Sequence, residues 1–216
     1  MRIIAFGDVH MELGNVGNIP GIETADYIII TGDITNYGPR EDAKKIVDRI
    51  LAINSNVLGL HGNLDQPEVG TYLEEFGLSL HGRGRVINGI GMVGLGGSNF
   101  TPFNTPSEFS EAELAGLLTQ GYAQIAGTRQ IILVSHTPPS QTKTDRLTSG
   151  AHVGSKAVRQ FIEQKQPAVC LTGHIHESKA VDRIGNTMIL NPGMIRYGGY
   201  IEVTLKNGDL TASLKP

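Results

Sequence analysis

The sequence contains one cysteine and no tryptophan, and it has no strong excess of either charge. A single cysteine, Cys170, cannot form an intrachain disulfide, which is typical of proteins in a reducing compartment. Because Cys170 lies inside an apolar run, we expect a buried and unreactive thiol. The 18 basic and 21 acidic residues give a net charge of −3. This balance provides no basic footprint for nucleic acid, which is therefore not expected as a partner.

Long apolar runs are also absent. The N-terminal residues have too short an apolar core for a signal peptide, and the longest apolar stretches have the length of strands, well below a membrane span. We therefore expect a cytoplasmic protein with no membrane partner. The 216 residues fit one domain covering residues 1–216, with enough chain to bury a substantial core. The composition leaves a homo-oligomer open.

Short apolar runs alternate with amphipathic stretches, which is typical of α/β architecture. The predicted strands cover residues 2–6, 27–31, 57–60, 86–87, 90–93, 130–135, 168–172, 180–184, 187–190, 200–205 and 210–214. The predicted helices begin near Pro39 and Pro67 and cover residues 110–124 and 155–164. Two long loops, residues 95–108 and 136–154, remain, and loops of this length in a compact domain are usually functional or mobile.

Metal-binding residue types follow several of the predicted strands. They are Asp8 and His10 after the first, then Asp33, Asn63 and His136 after three others, with His174 and His176 after a fifth. In open α/β sheets, ligands bind outside the carboxyl ends of the strands, so these side chains are expected to share one crevice. Imidazole together with carboxylate favours Mn, Fe, Zn or Ni. If the residues serve two ions, one carboxylate must bridge them, and Asp33 is the candidate.

Each of these residues alone also has an ordinary structural explanation. An aspartate such as Asp8 or Asp33 after a strand is often a turn residue or a helix cap, and Asn63 after Gly62 is typical of a turn. His136 alone would be a hydrogen-bonded histidine rather than a ligand. Coincidence would have to place all of them at separate strand ends, so we favour the metal interpretation.

The order of these motifs resembles that of the calcineurin-like metallophosphoesterase superfamily, in particular its small prokaryotic-type members. The matching segments are Asp8-Val9-His10, Gly32-Asp33, Gly62-Asn63-Leu64-Asp65, His136 and Gly173-His174-Ile175-His176. The resemblance implies a four-layer α-β-β-α sandwich of two mixed sheets flanked by helices. It also implies two metal sites: Asp8, His10, Asp33 and His176 for one divalent ion, and Asp33, Asn63, His136 and His174 for the other.

The resemblance further implies a metal-dependent phosphoesterase that acts on a small phosphorylated substrate. Two ions, with manganese among the candidates, would hold a bridging hydroxide that attacks phosphorus. Asp33, Asn63 and His136 are the expected catalytic positions. Asn63, His152 and Asn36 are the expected substrate contacts.

Leu64 departs from the family pattern, because many members carry histidine at this position to contact the phosphate or protonate the leaving group. Its loss should weaken hydrolysis of esters with poor leaving groups, so a phosphodiester is preferred over a monoester. A non-catalytic metal-binding scaffold of the same fold is the alternative. A DNA nuclease subunit is disfavoured, because the chain has no basic excess.

Three further polar residues, Asp65, His61 and His81, are not part of the expected ligand set. Asp65 could orient a metal ligand, but a helix cap before Pro67 explains it equally well. His61 could replace the missing histidine only if its loop turned inward, so a structural role is expected. His81, between Leu80 and Gly82, is expected on the surface.

Overall fold

Thirteen strands and four α-helices make up the computed structural model, which describes residues 1–216. The strands are β1 (Arg2–Phe6), β2 (Tyr27–Ile30), β3 (Val57–Gly59), β4 (Gly84–Ile87), β5 (Ile90–Leu95), β6 (Ser98–Asn99), β7 (Glu108–Phe109), β8 (Gln130–Ser135), β9 (Val169–Leu171), β10 (Ala180–Ile184), β11 (Thr187–Asn191), β12 (Tyr200–Lys206) and β13 (Asp209–Lys215). The helices are α1 (Arg40–Leu51), α2 (Pro67–Glu75), α3 (Glu111–Ala123) and α4 (Lys156–Lys165). Most predicted elements lie within two residues of these bounds.

The strands form two large sheets, and each is mixed. In the first sheet the order is β13-β12-β1-β2-β3, with β1, β2 and β3 parallel and β12 antiparallel to both of its neighbours. In the second sheet the order is β10-β11-β9-β8-β5-β4, with a parallel centre and antiparallel outer strands. The parallel centres align the carboxyl ends of neighbouring strands, which is where the predicted ligands follow.

Alternation of side chains along β1 shows how the layers pack. Ile3 and Ala5 belong to the core between the two sheets, which also contains Ile132 of β8. Ile4 and Phe6 point the other way, into a core shared with α1 and α2. On the far side of the second sheet, a third core joins its outer face to α3 and α4. The predicted four-layer sandwich is therefore confirmed.

Local signals in the sequence account for the helix starts. Ser110 accepts a hydrogen bond from the backbone of Glu113, whose carboxylate in turn accepts from the backbone of Ser110, so α3 begins with a capping box. The Ser155 hydroxyl caps α4, as predicted. Pro67 occupies the first turn of α2, where its missing N–H costs no hydrogen bond.

Both long loops are folded rather than open. In the first, β6 and β7 pair in parallel, which brings Ser98 next to Glu108 and closes the loop on itself. The second contains a 3-10 turn over Lys143–Asp145.

Each helix falls short of the length and apolar character needed to cross a lipid bilayer.

Candidate metal centre

The carboxyl ends of parallel strands from both sheets meet at one place. Asp8 and His10 follow β1, while His174 and His176 follow β9 of the other sheet. The backbone N–H of His174 donates to both carboxylate oxygens of Asp8, at 3.0 and 3.2 Å, and so joins the two sheets. The ligands predicted at separate strand ends are thereby brought together.

Four of the predicted ligands form a compact group: Asp8, His10, Asp33 and His176 each place one donor atom within 4.8 Å of the others. The Nε2 atoms of His10 and His176 are 3.0 Å apart. Carboxylate oxygens lie close by, with Asp8 Oδ1 at 3.5 Å from His176 Nε2 and Asp33 Oδ2 at 3.8 Å from His10 Nε2. Two imidazole nitrogens and two carboxylates converging in this way could hold a divalent ion.

A second group lies on the other side of Asp33. His136 is fully buried, and its Nε2 lies 3.0 Å from Asn63 Oδ1 and 3.5 Å from Asp33 Oδ2. Its Nδ1 faces the carbonyl oxygen of Thr31 at 3.0 Å. In the neutral ring, Nδ1 therefore carries the proton that donates to this oxygen, and Nε2 is left to bind a metal ion. The His174 ring is adjacent, with its centroid 5.1 Å from that of His136. Asp33 thus contributes a carboxylate to both groups.

The backbone at the ligands is in an uncommon conformation. Asp8, His10, Asp33 and His174 have positive φ angles of 49°, 45°, 49° and 70°. Such angles are rare outside glycine, although Asp, Asn and His tolerate them better than most residues. Strained backbone of this kind gathers at functional sites, where surrounding structure holds it in place. Here it turns the chain sharply at the strand ends, so that the side chains face the centre.

Gly62 is required by the closeness of the two loops. A Cβ atom at Gly62 would lie 2.0 Å from Asp33 Oδ1 and 2.3 Å from the Asp33 backbone nitrogen. Gly62→Ala is therefore expected to displace Asp33, destabilise the fold by about 1–3 kcal/mol and weaken metal binding. Urea denaturation and a manganese titration would measure these effects.

Gly17→Ala is the matched control, because a Cβ at Gly17 would meet nothing within 4 Å. Equal metal affinity in the Gly62→Ala and Gly17→Ala variants would contradict the expectation that a side chain at position 62 displaces Asp33.

Asp65 connects the loop of Asp33 to that of Asn63. Its buried carboxylate accepts hydrogen bonds from the backbone nitrogens of Ile34 at 3.0 Å, Thr35 at 2.7 Å and Gly62 at 2.8 Å. The cap of α2 is Gln66 and has no side-chain cap bond. The helix-cap explanation of Asp65 is wrong, and the residue instead orders the backbone on both sides of the metal ligands.

Thr105 and Glu108 orient Asn63, and no motif in the sequence marks either of them. Asn63 Nδ2 donates to Thr105 Oγ1 at 3.0 Å, and Thr105 Oγ1 donates to Glu108 Oε1 at 2.6 Å. These two hydrogen bonds orient the Asn63 amide so that its Oδ1 faces His136. Only the composition of the loop, rich in Thr and Ser, could have suggested such bonding.

Opposed charges control the pKa values at the centre. Burial acts against the charged form of His136, but the charge of Asp33 and a hydrogen bond to it raise the pKa of His136 to about 9. Burial acts against the charge of Asp33 as well, yet the charge of His136 holds the pKa of that carboxyl below its ordinary value. Burial, then the charge of His136, lowers the pKa of His174 to about 4. Burial also acts against the charged form of His176, but the hydrogen bond to Asp8 and the charge of Asp8 raise the pKa of that histidine too. Positive charge in the metal-free centre is therefore favoured on His136 and His176 and disfavoured on His174.

Metal binding is expected to release a proton. With a pKa of about 9, His136 is protonated in the metal-free protein at pH 7.5, while ligation requires the neutral ring. Metal affinity should therefore rise as the pH rises from 7 towards 9. Calorimetric titration with manganese at pH 7.5, in buffers of different ionisation enthalpy, would count the released protons. A heat independent of the buffer would contradict this expectation, and titration at pH 9.5 should show a smaller release.

The centre opens into a cavity of about 530 Å³. Asp33, Asn63, His174 and His176 line it together with the predicted substrate contact His152. Asn36, also predicted as a substrate contact, is exposed and does not line this cavity, so the structure does not bring it to the other site residues.

The remaining histidines and the cysteine lie away from the centre. His61 is buried beside His81, with ring centroids 4.6 Å apart, and both line a separate cavity. His81 is half-buried and its Nδ1 accepts from the Gly96 backbone, so its expected surface position is wrong. The loop that follows β5 packs against His81 through this hydrogen bond. Cys170 is fully buried, and burial raises the pKa of its thiol above the usual range, in agreement with an unreactive residue.

Comparisons with known proteins agree with this geometry. The model of the calcineurin-like phosphoesterase family matches residues 1–178. The uncharacterized protein MJ1162 of Methanocaldococcus jannaschii is 36% identical over 217 residues, covering 96% of this chain and 94% of that protein.

Solved structures show the same fold at low sequence identity. TT1561 of Thermus thermophilus superposes with a TM-score of 0.72 at 17% identity, covering 98% of this chain and 97% of that one. A dimetal phosphatase from Danio rerio superposes with a TM-score of 0.66 at 12% identity, covering 99% and 95%.

Proposed function

The chain belongs to the calcineurin-like phosphoesterase family, and from this membership we propose that it hydrolyses a phosphodiester with two divalent metal ions. One observation carries the proposal: the donor atoms of Asp8, His10, Asp33 and His176 lie within 4.8 Å of one another where the two sheets meet. Residues that served only as turns or caps would have no reason to converge in this way.

The side chains present fit two ions. Asp8, His10, Asp33 and His176 would hold the first, and Asp33, Asn63, His136 and His174 would hold the second. The nitrogen and oxygen donors suit Mn, Fe, Zn or Ni, and no thiolate is near. When bound, such ions supply Lewis-acid stabilisation of the phosphoryl oxygens. The protein itself contributes position: Asp65 and the Asn63–Thr105–Glu108 chain hold the ligands before the substrate arrives.

The cavity supports an ester with an organic group. Tyr37, Phe100 and Phe103 line it and are 50%, 68% and 77% exposed, so an apolar face stands beside the metal ligands. Exposed aromatic side chains grouped in one cavity favour an apolar or planar ligand group. Lys156 is the only lysine or arginine in the lining, so the cavity offers little positive charge to bind additional phosphate groups. Together with Leu64, these features favour a diester with a single phosphate.

Turnover of bis-(p-nitrophenyl) phosphate tests the proposal. Metal-depleted protein reconstituted with Mn²⁺, Fe²⁺, Zn²⁺ or Ni²⁺ is expected to release p-nitrophenol with at least one of them, and faster than from p-nitrophenyl phosphate. Chelation by EDTA should abolish the release. Two bound ions without turnover across the whole series would instead favour a non-catalytic metal-binding scaffold, the candidate that Leu64 motivates.

A further inference from the structure

Once its histidines hold metal, the centre described above supplies no proton for a leaving alcohol. Leu64 lines the cavity and has no proton to give. The ionisable side chains in the lining outside the two proposed metal groups are Glu111, His152 and Lys156, together with the weakly acidic Tyr37. Glu111 is committed elsewhere, because its carboxylate accepts from the Ser155 hydroxyl at 2.7 Å and from two backbone nitrogens at the start of α4.

His152 is held by a buried carboxylate. Its Nδ1 lies 2.7 Å from Oδ1 of Asp145, which is fully buried, while the His152 side chain is 25% exposed. Asp145 also accepts from the backbone nitrogens of Gln141 at 3.0 Å, Thr142 at 2.8 Å and Gly154 at 3.0 Å. These bonds keep the carboxylate in place and available as an acceptor for the ring.

The orientation of the ring follows from this contact. With Nδ1 turned to Asp145, Nε2 lies on the opposite side of the imidazole, and His152 lines the cavity that contains the metal ligands. A ring that carries a proton on each nitrogen donates from Nδ1 to Asp145 and keeps the proton on Nε2 for transfer. A carboxylate that orients a histidine in this way is the usual support of an acid–base group.

The segment that carries the pair is tied to the turn that contains His176 and to β6 in the loop after β5. The Ser178 hydroxyl, two residues after His176, donates to the carbonyl of Arg146 at 2.6 Å. On the other side, Asn99 Nδ2 donates to the carbonyl of Val153 at 3.1 Å. These bonds, on both sides of His152, help to hold the ring beside the centre, as proton transfer to a bound ester requires.

We propose that His152 is the catalytic acid of this phosphoesterase and that Asp145 is its positioning residue, an inference that rests on the proposed function. Water oxygen forms the new bond to phosphorus as the bond from phosphorus to the alcohol oxygen breaks. The alcohol oxygen keeps the electron pair and takes the proton from His152 Nε2. The water molecule loses a proton to solvent, and the partly exposed His152 regains one from solvent, so protons balance over the cycle.

Leaving-group dependence tests the role of His152. In the His152→Gln variant of the metal-loaded protein, kcat/KM for diphenyl phosphate is expected to fall about 10²–10⁴-fold, because phenolate is a poor leaving group without a proton. For bis-(p-nitrophenyl) phosphate, whose leaving group is stable as an anion, the expected fall is less than about tenfold. Ser149→Ala, in the same segment, should leave both values unchanged.

Equal losses on both esters, or no loss on either, would overturn the acid role of His152. A wild-type protein that binds two ions and hydrolyses neither ester would instead overturn the proposed function itself.

A spectroscopic measurement tests the pair without turnover. In metal-free protein, imidazole ¹⁵N–¹H correlation spectra are expected to show a proton on Nδ1 of His152 in the wild type. Asp145→Asn should shift or remove this signal, while the backbone amide spectrum remains that of a folded protein. An unprotonated Nδ1 in the wild type would overturn the pairing. In Zn²⁺-loaded protein, inorganic phosphate should shift the Nε2 signal of His152, and an unchanged signal at saturating phosphate would overturn its reach to the substrate.

Discussion

Asp33→Asn is expected to remove most of the metal and the activity while leaving the fold intact. Asp33 is the carboxylate shared by both ligand groups, with Oδ2 at 3.8 Å from His10 Nε2 and 3.5 Å from His136 Nε2. Asparagine keeps the shape and can still accept the Leu64 backbone hydrogen bond that Asp33 Oδ1 now accepts at 2.9 Å. The change therefore removes the negative charge from the middle of the centre and little else.

The expected loss in kcat/KM is about a thousandfold, because Lewis-acid stabilisation contributes several kcal/mol and each 1.36 kcal/mol is worth a factor of ten. Metal analysis of the dialysed protein should show fewer than two ions per chain. Asp48→Asn, an exposed carboxylate on α1, is the control and should match the wild type. An unchanged metal content in Asp33→Asn would rule out Asp33 as the bridge.

Asp65→Ala is expected to destabilise the metal-free protein by about 3–5 kcal/mol. Its carboxylate serves three buried backbone N–H groups, those of Ile34, Thr35 and Gly62. Alanine would leave each of them without an acceptor, and an unsatisfied buried donor costs about 1–3 kcal/mol. The free energy of unfolding from urea denaturation measures the loss. Because these N–H groups belong to the loops of Asp33 and Asn63, metal affinity should fall together with the stability.

Asp26→Ala provides the matched control. Asp26 also accepts a backbone hydrogen bond, from Arg2 at 2.6 Å, but it is exposed, so water can replace it. The expected loss there is about 1 kcal/mol or less. Similar losses of unfolding free energy in the two variants would show that burial does not determine how much the Asp65 hydrogen bonds stabilise the fold.

The candidate metal ligands could be located from the sequence because local signals mark them. Asp8, Asp33 and His174 each follow an apolar run that ends in glycine, so strand, turn and ligand are read from a few consecutive residues. The parallel centres of both sheets then bring such residues to a common edge without further information. Single elements were predictable from local signals such as the capping serine Ser155, whereas the four-layer arrangement was expected from the resemblance to the family.

The supporting residues could not be predicted, because their partners are distant in sequence or lie in irregular loops. Asp65 bonds to backbone about 30 residues earlier, and nothing near Asp65 distinguishes this from a helix cap. Thr105 reaches Asn63 only because β6 and β7 close their loop. His152 was expected to contact substrate, but its pairing with Asp145 depends on the 3-10 turn over Lys143–Asp145, which no periodic pattern marks.

Stepwise reconstitution tests the central claim that these residues form a two-ion phosphoesterase centre. Metal-free protein would be titrated with Mn²⁺ while bound metal and hydrolysis of bis-(p-nitrophenyl) phosphate are followed in the same samples. Two ions per chain should bind, and hydrolysis should rise mainly with the second equivalent. Saturation at one ion per chain, or two bound ions without hydrolysis, would contradict the account.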